Sequence, residues 1–86
     1  MSMDTKLLLT LEVASISQNF EVLVPDFLKV KELVPLFVKI AEELSGNLYK
    51  SSGMEFICSS VEDTILDSNS TLGEYNIKNG DHLIML

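Results

Sequence analysis

From Lys6 to Val13 the chain alternates. Leu7, Leu9, Leu11 and Val13 fall on one phase, and Leu8, Thr10 and Glu12 on the other. A repeat of two is that of an extended strand, and one apolar phase means one buried face. A polar stretch follows from Ser15 to Asn19, after which Phe20, Val22 and Val24 alternate with Glu21 and Leu23. Two alternating runs joined by a short polar link predict a β-hairpin. Pro25 ends it, having no N–H to give to a ladder.

The period then changes. Val30, Leu33, Val34, Phe37, Ile40, Ala41 and Leu44 recur at three and four residues, with Lys31, Glu32, Lys39, Glu42 and Glu43 opposite. This is the stripe of an amphipathic helix. Gly46, in Ser45-Gly46-Asn47, is suited to the left-handed residue that closes a helix. Pro35 constrains the start, because a proline inside a helix has no N–H and collides with the carbonyl four residues back. A start near Glu32 places Pro35 in the tolerated first turn, with Leu28 and Val30 packing from the approach.

Met54 to Ser59 reads as a third strand and Thr64-Ile65-Leu66 as a short fourth. Asp67 to Gly73 carries turn residues, Asn79-Gly80 marks a tight turn, and His82 to Leu86 closes the chain as a strand. The order β-β-α-β-β-β predicts an α+β fold, a mixed sheet of four to five strands with one helix packed on one face. Residues 1–5 are expected to form a flexible start and 6–86 a single domain.

Composition narrows the function. The chain has 86 residues, which suffice for one core and not for two. Six basic residues against thirteen acidic ones give a net charge of −7, with no arginine. Nucleic-acid backbones and anionic membrane surfaces both require clustered positive charge, so neither is an expected partner. One cysteine forms no internal disulfide, and the start of the chain lacks the basic region of a signal peptide. A cytoplasmic setting is expected.

Three segments resemble known families. Thr71-Leu72-Gly73-Glu74-Tyr75-Asn76-Ile77 is similar to the Thr-Leu-x-x-Tyr-x-Ile segment before the last strand of ubiquitin-like β-grasp domains. Leu72 and Ile77 suit a plug at one end of the core, and the Tyr75 hydroxyl suits a bond to nearby backbone. Val24-Pro25-Asp26-Phe27-Leu28-Lys29-Val30-Lys31-Glu32-Leu33-Val34 and Ile77-Lys78-Asn79-Gly80-Asp81-His82-Leu83 resemble YukD/EsaB-like proteins, small ubiquitin-like components of bacterial type VII secretion systems. The resemblance implies a β-grasp fold with adjacent, parallel first and last strands. It also implies a non-conjugated binding role as an accessory protein. The implied partners are membrane-anchored secretion components, the ATPase or the pseudokinase-like subunit, which would recruit the chain to the inner face of the membrane. The sequence shows no Gly-Gly tail after Leu86, so conjugation is not expected. The alternatives are a sulfur-carrier-type modifier with its tail missing, or a ubiquitin-like domain cut from a larger protein.

Candidate chemistry is sparse. Cys58, in phase with Phe56, is expected in the core, and His82, in phase with Ile84 and Leu86, on the outer face, so the two do not form a catalytic pair. One His and one Cys are too few for a zinc site. Asp67-Ser68-Asn69-Ser70-Thr71 begins like a calcium loop but has Leu72 where that loop needs glycine and Lys78 where it needs the closing glutamate. Glu42-Glu43 and Glu62-Asp63 read as solvated pairs. No enzymatic activity, cofactor or metal is expected. What remains is a surface. Leu8, Ile57 and Ile84 are expected on the outer phase of three adjacent strands, with Leu86 beside them. Ile57 and Leu86 fall where ubiquitin carries part of its apolar recognition patch, rimmed here by Glu12, Glu21 and Glu55. These four apolar residues form the expected protein-binding face, with the helix edge at Leu36 and Val38 as the alternative.

Overall fold

The computed structural model describes residues 6–61 and 63–86. The expected flexible start at 1–5, and Glu62 of the Glu62-Asp63 pair, lie outside the described residues. The elements are β1 (Lys6–Val13), β2 (Gln18–Pro25), α1 (Val30–Leu44), β3 (Ile57–Ser59), β4 (Thr64–Ile65) and β5 (His82–Met85). Single 3₁₀ turns stand at Ala14–Ile16 and Gly73–Tyr75. The sheet runs β2-β1-β5-β3-β4. The first and last strands pair in parallel, Leu11 against Leu83 and Val13 against Met85, while the other pairings are antiparallel. The mixed sheet with one helix follows the order of periods, and the parallel pairing of first and last strands makes it the ubiquitin-like β-grasp that the resemblance implies.

The hairpin is tighter than the polar stretch suggests. Val13 pairs with Gln18, so the loop is confined to Ala14–Ser17, and Ser17 takes the left-handed conformation at φ 52°. The apolar stripe of α1 packs on the inner sheet face. Leu9, Leu11 and Val13 of β1 meet Leu33, Phe37 and Ala41 of the helix in a core that also takes Leu72, Ile77 and Leu83. Each large aliphatic buried in this way contributes roughly 1.5–3 kcal/mol.

The helix begins at Val30, two residues before the expected start, and Pro35 sits in its second turn. The reason is non-local. The first N–H groups of a helix have no partner within it. Here the Ser70 carbonyl accepts the Val30 N–H at 2.8 Å, and the Ser68 carbonyl accepts the Lys31 N–H at 3.0 Å. The Glu32 carboxylate reaches back to the Lys29 N–H at 2.9 Å, half of a capping box, since a lysine side chain has no acceptor to complete it. The calcium-loop mimic is therefore a loop whose carbonyls hold the helix start. At the other end the Asn47 N–H bonds the Glu42 carbonyl and the Gly46 N–H that of Glu43, with Gly46 at φ 66°. This is the Schellman closure that Gly46 predicts.

Candidate protein-binding face

The outer face follows from register. Ile57 stands opposite Met85, Cys58 opposite Ile84, and Ser59 opposite Leu83. Leu83 and Met85 are buried, so Ile57 and Ser59 point inward with them. Ile57 is 1% exposed and Phe56 is 43% exposed. The expected placement of Ile57 on the binding face is thus wrong, as is that of Phe56 and Cys58 in the core. The physical reason is that Phe56-Ile57-Cys58 is apolar at all three positions. A repeat of two then carries no phase, and only the neighbouring strand sets it.

The inversion assembles a different surface. Phe56 and Leu86 exchange both main-chain hydrogen bonds, at 3.1 and 2.9 Å. Cys58 stands opposite Ile84 on one side and Ile65 of β4 on the other. Directly opposed residues have side chains about 4.5–5.5 Å apart, so Phe56, Cys58, Ile65, Ile84 and Leu86 form one patch across β5, β3 and β4. Leu86 is 51% exposed and Ile65 59%. Ile84 and Leu86 keep their expected face. Leu8 shares that face but not the patch. It pairs with Leu23 on β2, and the row Glu21–Thr10–His82 lies between that pair and Ile84. Parallel pairing puts Leu8 three rows from Leu86, roughly 20 Å along the strands.

Cys58 and His82 share the outer face, contrary to expectation, because the phase of Cys58 inverts with that of Ile57. The His82 ring is turned to Glu12, its Nε2 lying 3.0 Å from Oε1. Among the described residues no cluster of three or more His, Cys, Asp or Glu is placed to hold a metal ion. Glu12 and Glu21 lie on the outer face, Glu12 opposite Ile84 and Glu21 on the edge strand β2. Glu55 does not, because its carboxylate accepts the Tyr49 hydroxyl at 2.5 Å and the Ser52 N–H at 3.0 Å. Burial opposes the charge of Glu55, but these bonds and one from Ser51 outweigh it and hold its pKa below the ordinary glutamate value. Burial and then the neighbouring Glu55 push the Tyr49 phenol up.

The helix-edge alternative divides in two. Residues two apart on a helix point to different sides. Val38 lines a groove of about 480 Å³ with Val34, Pro35, Lys39, Glu42, Ser51 and Glu55. Leu36 stands exposed and does not line that groove.

Residues 8–85 match the sequence profile of the family described as "WXG100 protein secretion system (Wss), protein YukD". The chain belongs to the YukD family. No curated protein matches the sequence. Among solved structures, the YukD-family chain is similar to the ubiquitin-like domain of the type VII secretion system protein EccD1 from Mycobacterium tuberculosis. The TM-score is 0.74 at 10% identity, over 95% of this chain and 98% of that one. It is also similar to the EccD5 ubiquitin-like domain from Mycobacterium xenopi, at TM-score 0.70 and 18% identity, over 95% and 93%. A ubiquitin-like domain of the Arabidopsis thaliana protein At2g32350 gives 0.73 and 20%, over 100% and 81%. At these identities the likeness is one of fold. Together with the family match it identifies the YukD-family chain as a ubiquitin-like module associated with type VII secretion. Among the described residues no helix is long and apolar enough to cross a membrane.

Proposed function

We propose that this chain is a protein-binding accessory module of a bacterial type VII secretion system. It works in the cytoplasm and docks a membrane-anchored subunit, the secretion ATPase or the pseudokinase-like component, through the outer face of β5, β3 and β4. The observation that carries this is the continuity of Phe56, Cys58, Ile65, Ile84 and Leu86 on a face that α1 does not cover. Scattered exposed aliphatics are ordinary, whereas a contiguous set resembles the apolar centre of an interface. Covering such side chains contributes roughly 1.5–3 kcal/mol each when burial is complete. Part of that offsets the cost of association, which leaves room for a reversible complex. Glu12, opposite Ile84 at the border, with a net charge of −7 on the chain, favours a partner that is basic around its apolar centre.

The test is calorimetric titration of the purified protein with the cytoplasmic domains of the ATPase and of the pseudokinase-like subunit from the same system. Phe56→Asp with Ile65→Asp changes two exposed side chains and is expected to abolish binding while leaving the melting curve in place. Native affinity in the double variant would overturn the assignment of this face. Absence of binding to either domain by the unaltered protein would overturn the choice of partner.

A further inference from the structure

We propose that the free edge of β2 is a second docking site, which takes an extended segment of a partner protein as a sixth strand with a basic residue facing Glu21. The sheet has two edges of unequal length, β4 with two residues and β2 with eight. A two-residue edge offers little to pair with, whereas a long one is a template unless something blunts it.

The direction of the β2 main chain follows from its neighbour. The Leu8 N–H goes to Asn79 Oδ1 at 2.8 Å, the Leu8 carbonyl accepts from Gly80 at 2.7 Å, and the Thr10 N–H goes to the Asp81 carbonyl at 3.0 Å. Even-numbered residues of β1 therefore aim their main-chain groups at the β5 side, and odd-numbered ones at β2. In an antiparallel pair the residues that exchange bonds alternate with those that do not. The bonded pairs are Leu7 with Val24, Leu9 with Val22, and Leu11 with Phe20. Asn19, Glu21 and Leu23 accordingly turn N–H and C=O away from the sheet, and no bond among the described residues takes them. Six main-chain groups on alternate residues match one ligand chemistry, an extended polypeptide backbone.

The side chains say which polypeptide. Asn19, Glu21 and Leu23 are all exposed on the outer face, next to the strand that would be added. A second copy of this chain fits poorly. The self-pairing that uses all three residues sets Asn19 against Leu23 and Glu21 against its own copy, and each molecule carries −7. Like charges directly opposite are unfavourable, and opposite charges are favourable. The edge thus suits a segment with Lys or Arg across from Glu21 and an aliphatic residue across from Leu23. This site is separate from the β5–β3–β4 patch and does not depend on it.

The probe is a synthetic heptapeptide, acetyl-Thr-Ile-Val-Lys-Val-Thr-Thr-amide, with amide hydrogen exchange of the full chain followed by NMR. At ten times the peptide Kd, exchange at Asn19, Glu21 and Leu23 is expected to slow about tenfold. Phe20, Val22 and Val24, already bonded to β1, should change little. A peptide with Glu in place of Lys should lose the effect, and Glu21→Lys should restore it for that peptide. Unchanged exchange at the three amides up to the solubility limit of the peptide would overturn the proposal. Protection that grows with protein concentration in the absence of peptide would overturn it in favour of a second copy.

Discussion

The hydroxyl of Tyr75 accepts the main-chain N–H of Asp67 at 2.8 Å. That bond fixes the first residue of the loop whose Ser68 and Ser70 carbonyls hold the start of α1. Tyr75→Phe keeps the ring and removes the acceptor. The expected cost is about 0.5–1.5 kcal/mol, a fall in Tm of several degrees for a chain this size, roughly 4–8 °C per kcal/mol. Calorimetry measures the shift, and an unchanged Tm would show that the loop holds without the bond.

Ionised Glu55 is stabilised in the folded protein, since its pKa is lowered there. The sign follows directly. The contribution is complete above the ordinary glutamate pKa of about 4.3 and is lost as pH falls from there through the lower folded value. Glu55→Gln should therefore flatten the acid limb of a stability–pH curve. Tyr49 works at the other end. Its raised pKa keeps the phenol neutral in the fold, so stability should decline above about pH 10, where an unfolded tyrosine ionises. Urea melts across both ranges, with and without Glu55→Gln, check the two limbs.

Ser17 holds φ 52° at the end of the hairpin loop. A left-handed conformation costs a side-chain-bearing residue roughly 1–2 kcal/mol, against the smaller entropic cost of glycine. Ser17→Gly should stabilise the protein by about 0.5–1 kcal/mol, read as a higher urea midpoint at unchanged m-value.

The phase of β3 yields a paired prediction. Ile57→Ala removes methyl groups from a site with no solvent access and should cost about 2–5 kcal/mol. Phe56→Ala, next to it but on the open face, should stay within about 1 kcal/mol. Equal losses, or the reverse order, would contradict the inward position of Ile57.

Where polar residues interleave with apolar ones, the sequence is legible. Thr10 and Glu12 between Leu9, Leu11 and Val13 settle the inward phase of β1, and Gly46 marks the end of α1. The segment from Thr71 to Ile77 likewise announces both the plug of Leu72 and Ile77 and the hydroxyl of Tyr75. What fails is set by other parts of the chain. Phe56-Ile57-Cys58 has no polar member, so its phase comes from Met85 and Ile84 across the ladder. The helix begins before Glu32 because carbonyls some forty residues away accept its first N–H groups. Glu55 leaves the acidic border because Tyr49 occupies it. The missing phase that set Ile57 on the wrong face also hid Phe56 and Cys58, and with Cys58 its β4 neighbour Ile65. Once Ile57 is turned inward, strand pairing alone puts them beside Ile84 and Leu86.

Partner-induced NMR shifts on the isotope-labelled protein test the docking face most directly. Addition of the cytoplasmic domain of the secretion ATPase or pseudokinase-like subunit that binds should perturb Phe56, Cys58, Ile65, Ile84 and Leu86. Leu36 and the groove residues Val34 and Val38 should stay in place. Perturbations centred on that groove, with the β5–β3–β4 face unmoved, would contradict the assignment.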